Sequence, residues 1–180
     1  CEGLDLPPLA IPTLDFVPHE RAEEILTNWA DAPEVKHQGQ EAYYSPNEDI
    51  IYMPPKATFK SIEGYYNVRF HESVHATGHA SREGRDIKNW FGGEKYSKEE
   101  LIAEIGASFL RAEARIESPE SDENTVAYLQ SWIRALNDDK SMIISASSKA
   151  QRAVDRILNK AQTADEAEET QTPNSEETAE

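Results

Sequence analysis

Apolar residues along the chain recur at two different periods, and the switches between them mark out its elements. Ala22, Ile25, Leu26 and Trp29 repeat at the spacing of one helix face, and Pro18 suits a first helical position. From Val35 the period shortens. Val35-Lys36-His37, Ala42-Tyr43-Tyr44 and Ile50-Ile51-Tyr52-Met53 are short β-prone runs, and their tyrosines read as sheet packing. The last two runs flank Ser45-Pro46-Asn47-Glu48-Asp49, a connection of hairpin length, so a small antiparallel sheet is expected, ended by Pro54-Pro55. Helical spacing returns over 59–77, where Ile62, Tyr65, Tyr66, Phe70 and Val74 form a stripe and Gly78 is a natural stop. The polar stretch 81–96, broken by glycines, reads as a loop. Ser97 is expected to start the next helix, with Leu101, Ile102, Ile105, Phe109 and Leu110 on its apolar side. On that helix Ala103, Gly106 and Ala107 are small enough for another helix to approach closely. Two further stripes, Val126 to Leu136 and Ile143 to Leu158, read as scaffold helices. These elements predict an α+β fold.

Length and composition narrow the organisation. The 180 residues suffice for one domain with a proper core. Residues 1–17, with Pro7, Pro8 and Pro12, read as an extended lead-in that lies across a surface; 18–160 read as the domain. Residues 161–180 carry seven acidic side chains and no basic one, and read as a disordered acidic tail. Taking that tail from the net charge of −16 still leaves −9, which makes the domain a poor grip for phosphate backbones. Cys1 is the single cysteine, so no disulfide framework forms and a reducing, cytoplasmic setting is expected. No apolar run approaches a membrane span, and no membrane partner is expected. Because the chain starts with Cys rather than Met, it reads as a domain cut from something larger or as a processed product.

The chemistry concentrates in Phe70-His71-Glu72-Ser73-Val74-His75-Ala76-Thr77-Gly78-His79. His71 and His75 lie four apart, so on a helix both imidazoles can reach one metal ion. Imidazole suits zinc, and two histidines with a third ligand leave a position open for water. Glu72, directly after the first histidine, is placed to act as general base. His71 and His75 sit at the edge of the apolar stripe, which puts the pair on a core helix. His19 and His37 read instead as surface or capping histidines.

Two histidines do not complete such a site. A third histidine six residues after His75 would fit one zincin pattern, but that place is Ser81. His79 lies about 12 Å along an ideal helix from His71, and Gly78 is expected to end the helix first, so a pocket or supporting role suits it better than ligation. The remaining candidates are Glu100 and Glu104, four apart on the next helix. Ser97-x-x-Glu100 is also a capping box, which would leave Glu104 as the ligand. In the other assignment Glu100 binds the metal and Glu104 supports a ligand histidine. Both stay open, with Glu100 favoured.

These two blocks, His71-Glu72-x-x-His75-x-Thr77-Gly78-His79 and Tyr96-Ser97-Lys98-Glu99-Glu100-Leu101-Ile102-Ala103-Glu104-Ile105-Gly106-Ala107, resemble the zincin-like metallopeptidase domain of ArdC-type antirestriction proteins. Ala42-Tyr43-Tyr44-Ser45-Pro46, Ile51-Tyr52-Met53-Pro54, Trp132 and Ser148-Lys149-Ala150-Gln151 resemble it too. The resemblance implies a zincin fold, with a small sheet whose edge strand can pair with an extended peptide above the active-site helix. It further implies a mobile-element protein that shields transferred DNA from restriction, with single-stranded DNA bound by a separate N-terminal domain. Two functions follow as expectations. In the first, His71, His75 and Glu100 hold zinc, Glu72 is the general base, His79 or a tyrosine assists the oxyanion, and a protein or peptide is hydrolysed. In the second, the zinc-containing domain docks a partner without cutting it.

Overall fold

The computed structural model describes residues 14–87, 94–117 (backbone alone at 94–97) and 141–160. The expected acidic tail, the stripe Val126 to Leu136, Gly92-Gly93 and most of the lead-in lie outside the described residues. Four helices and three strands are described. Helix α1 spans Glu20–Asn28, α2 Ile62–Thr77, α3 Glu94–Ala114 and α4 Ser141–Ile157; strands β1, β2 and β3 span Glu34–His37, Tyr43–Ser45 and Ile50–Met53. A short 3-10 turn at Lys56–Thr58 follows the sheet.

The sheet order is β1-β3-β2. Strands β2 and β3 form the expected antiparallel pair, with Tyr44 opposite Ile51. Strand β1 joins the other edge of β3 in parallel, so the sheet is mixed. Local pattern carries no information on that sense: the five residues between β1 and β2 bring the chain past β3 before the hairpin forms. Tyr44, Ile51 and Met53 on the inner face are buried against α2.

The helix starts differ from expectation for local reasons. At α1 the His19 ring accepts the Ala22 amide at 3.4 Å, so His19 is the cap and Pro18 precedes the helix rather than opening it. At α2 the Ser61 hydroxyl accepts the Gly64 amide at 3.0 Å. Helix α3 begins at Glu94, three residues before Ser97, whose backbone is therefore helical, so Ser97 is not the helix start expected from the sequence. On α4 the buried stripe is Met142, Ala146, Ala150, Ala153, Val154 and Ile157, while Ile143 faces solvent one position off it.

Helices α2 and α3 touch at the small residues. A Cβ on Gly106 would stand 2.8 Å from a Val74 methyl, so α3 approaches α2 only because position 106 is glycine. Helix α4 packs against α3, and Leu101 and Leu110 of α3 and Ala150 and Ile157 of α4 are buried in the common core. The last residues of the lead-in run across the start of α2. There the Leu14 amide donates to Ala57 O at 3.0 Å and Phe16 packs edge-on against Tyr65. No helix among the described residues is long and apolar enough to cross a membrane.

Candidate metal centre

His71 and His75 occupy the C-terminal half of α2, where the helix is buried nearly all round. Their rings meet edge-on, and the two Nε2 atoms lie 3.0 Å apart. Across the α2–α3 contact, one Glu100 oxygen stands 3.5 Å from His71 Nε2 and the other 3.3 Å from His75 Nε2. Among the described residues, His71, His75 and Glu100 are the group whose ligand atoms could share one ion, all lying within 4.8 Å of one another. The close helix contact at Gly106 brings Glu100, nearly two turns earlier on α3, within reach of both imidazoles.

Each imidazole has a second partner on its far nitrogen. His71 Nδ1 lies 3.3 Å from Glu104 Oε1, and His75 Nδ1 lies 3.3 Å from Glu99 Oε1. A proton on Nδ1 donated to a carboxylate leaves the Nε2 lone pair for a metal and orients the ring. Glu100 thus lies on the Nε2 side of both rings and Glu104 on the Nδ1 side of His71.

Glu99 was not picked out by sequence reasoning. In Lys98-Glu99-Glu100 it looks like one more charge in a solvated first turn, yet it is buried. Arg85 holds it, with Nε 3.0 Å from Oε2 and Nη2 2.9 Å from Oε1. No spacing signal links Arg85, in a stretch read as loop, to Glu99 or His75.

Electrostatics follow from these contacts. Burial opposes charge on His71, but hydrogen bonds to Glu100 and Glu104 outweigh it and hold the imidazolium up to about 10. His75 is likewise raised, burial being outweighed by hydrogen bonds to Glu100 and Glu99. Burial alone would raise Glu100, yet its bonds to both imidazoles hold its carboxyl well below the usual carboxylate range. Two basic nitrogens and an ionised carboxylate converging in this way are a suitable donor set for a divalent ion.

Glu72 is 7% exposed, and its Oε2 has no hydrogen-bond partner among the described residues. An orphaned buried carboxylate oxygen beside a trio that could hold a metal is a feature an inert helix has no use for. Glu72 lines a cleft of about 580 Å³ together with His71, His75 and Glu100 on one wall and 41–46 on the other. That second wall contains β2, which among the described residues pairs with β3 alone. A larger hollow of about 700 Å³, lined by Arg21, Phe109 and Glu113, lies away from this chemistry.

His79 sits past the end of α2. Its Nδ1 contacts Ser81 Oγ at 2.7 Å and stands 4.0 Å from Asp49 Oδ2, outside the trio. Gly78 caps α2 with φ −72°, so its role is not a left-handed turn. A Cβ there would come within 2.9 Å of Ile87 and 3.1 Å of Arg85. His19 and His37 behave as read: one caps α1, and the other, at the end of β1, bonds the Tyr65 phenol at 2.9 Å.

Known proteins are similar to this chain in sequence and in fold. The chain is 39% identical over 160 residues to the DNA primase TraC of Escherichia coli, a stretch that is 88% of this chain and 15% of the primase. Two solved structures of the antirestriction ArdC protein from the R388 plasmid are similar. The Mn(II)-bound form is 35% identical with a TM-score of 0.57, matching 78% of this chain and 50% of that one. The metal-free form is 34% identical with a TM-score of 0.60, matching 84% and 54%. The chain thus spans about half of ArdC and a small part of the primase. A family model described as zincin-like metallopeptidase matches residues 20–149, and with the trio on α2 and α3 and the α+β fold around it, the chain belongs to that family.

Proposed function

We propose that this chain is the zinc-dependent peptidase domain of a mobile-element antirestriction-type protein, hydrolysing a peptide bond held along β2. The observation that carries the reading is the buried Oε2 of Glu72, without a partner among the described residues, on the same cleft as His71, His75 and Glu100. The family and the Mn(II)-bound relative support a divalent ion at this trio, and zinc suits its donors. Such an ion supplies, when bound, Lewis-acid polarisation of a carbonyl and acidification of water.

The protein's own groups do the rest. Glu72 Oε2, kept from other partners, takes a proton from the attacking water and passes it to the leaving amine nitrogen. Glu104 and Glu99 keep both Nδ1 protons in place and so present both Nε2 atoms. Strand β2 offers backbone groups to an extended peptide, which gives the substrate its direction across the cleft. Among the described residues that line the cleft, the 41–46 wall carries Glu41 and no Lys or Arg, which suits neutral or cationic peptides. The net charge of −16 makes this chain a poor grip for single-stranded DNA, and the resemblance to ArdC-type proteins implies a separate N-terminal domain for that contact.

The test is cleavage of casein and of a random peptide library, with and without a chelator, by wild type and Glu72→Gln. Cleavage by wild type that is lost with the chelator, and reduced about 10²–10⁴-fold in a Glu72→Gln protein that keeps its metal, supports the reading. Equal cleavage by the two proteins contradicts it, and metal-loaded wild type without any cleavage favours a docking domain.

A further inference from the structure

The segment 79–87, after α2, carries two largely buried arginines, and both return to the last turn of that helix. Arg82 Nε donates to Ala76 O at 2.7 Å and Arg85 Nη2 to Val74 O at 2.7 Å. Both carbonyls lie in the last turn, where Val74 O also accepts from Thr77 Oγ1 at 2.6 Å and Ala76 O from the His79 amide at 3.1 Å. Capping uses one nitrogen of each side chain, Arg85 Nη2 being shared with Glu99. Beyond the helix end the two forks reach in different directions.

Arg82 reaches the sheet. Its Nη1 donates to Asp49 Oδ2 at 3.1 Å, and its Nη2 donates to Asp49 Oδ1 and, at 3.2 Å, to the Tyr44 hydroxyl. Tyr44 in turn donates to Asp49 Oδ1 at 2.7 Å. Tyr44 belongs to β2 and lines the cleft, and Asp49 holds the β2–β3 turn at φ +55°. Arg85 reaches α3. It donates to both oxygens of Glu99 at 3.0 and 2.9 Å, to Thr77 Oγ1 at 2.8 Å, and to Glu83. Glu99 is the carboxylate on His75 Nδ1. The absence of a Cβ at Gly78 leaves Arg85 the room to pass. Thr77 and Gly78, unexplained by the metal centre itself, therefore seat this side chain.

We propose that Arg82 and Arg85 are positioning residues with divided tasks: Arg85 orients His75 through Glu99, and Arg82 sets the height of strand β2 above the cleft. The proposal rests on the reading of His71, His75 and Glu100 as a metal centre. One planar fork can bind a helix carbonyl and a neighbouring carboxylate at once, which the point charge of lysine cannot do. Lysine variants therefore keep the charge and remove the span.

The experiment uses the full chain as wild type, Arg82→Lys, Arg85→Lys and the milder Thr77→Val, with two readouts independent of peptidase activity. The first is Zn²⁺ affinity by competition with a chelating indicator. The second is backbone hydrogen exchange in the zinc-loaded chain over 41–49. Arg85→Lys is expected to weaken Zn²⁺ binding about 10–100-fold and leave exchange over 41–49 unchanged, with Thr77→Val moving the same way by less. Arg82→Lys is expected to speed exchange over 41–49 about tenfold and leave Zn²⁺ affinity unchanged. Variants that move both readouts together, or neither, overturn the division and leave two helix-capping arginines. A wild type that binds no Zn²⁺ removes the metal-centre reading itself, and the Arg85 task with it.

Discussion

Helices α2 and α4 have 16 and 17 residues, yet they bury themselves in opposite ways. Helix α4 divides cleanly into an apolar stripe and a solvated face, with Ile144 73% exposed on the latter. Helix α2 buries ten residues, among them Arg69, Glu72, Ser73 and His75. Arg69 illustrates the cost: burial holds its guanidinium down to about 10, and a Ser73 hydroxyl at 2.7 Å is its partner on the same helix. Burying polar groups destabilises a fold unless each is matched, so a helix built this way is retained for something other than stability. The contrast separates scaffold from site more sharply than hydrophobicity does.

The comparison can be pressed by changing acidity. Below its pKa a raised histidine keeps its proton, and a metal ligand must give that proton up. Zinc affinity should therefore fall on acidification, about tenfold per pH unit for each proton displaced, and still be rising at pH 8 because His71 is held up to about 10. Competition titrations at pH 6, 7 and 8 measure the slope, and a flat profile contradicts the electrostatics given for α2. A smaller effect is expected at the α2–α3 contact. Gly106→Ala forces a Cβ against Val74 and should cost about 1–3 kcal/mol by urea unfolding, with weakened zinc binding as α3 is pushed away. The smallest belongs to α4. Ile157→Val should cost about 0.5–1.5 kcal/mol and leave zinc affinity untouched. Equal loss of zinc affinity in Gly106→Ala and Ile157→Val would erase the distinction between site and scaffold.

What was legible in the sequence follows the range of the forces involved. The strands, the α2 stripe and the apolar face of α3 are written in short periods, and the structure has them where those periods fall. His71, Glu72 and His75 are legible because helical spacing alone brings them together. Glu100 and Glu104 were nameable for the same reason. Choosing between them depended on where α3 starts, and Ser97 imitates a cap that the helix overrides by beginning at Glu94. The parallel pairing of β1, the burial of Glu99 and the reach of Arg82 and Arg85 arise from contacts far apart in sequence. No local pattern carries them.

The central claim is that α2 and α3 together hold one divalent ion, with Glu100 as the carboxylate ligand and Glu104 as a support. Zinc per chain by elemental analysis tests it most directly, on wild type beside Glu100→Ala and Glu104→Ala after dialysis against a weak chelator. The account predicts about one zinc in wild type, loss of it in Glu100→Ala, and retention in Glu104→Ala at an affinity weakened about 10–100-fold. Zinc kept by Glu100→Ala and lost by Glu104→Ala would reverse the two roles, and wild type without zinc after refolding in excess metal would contradict the account.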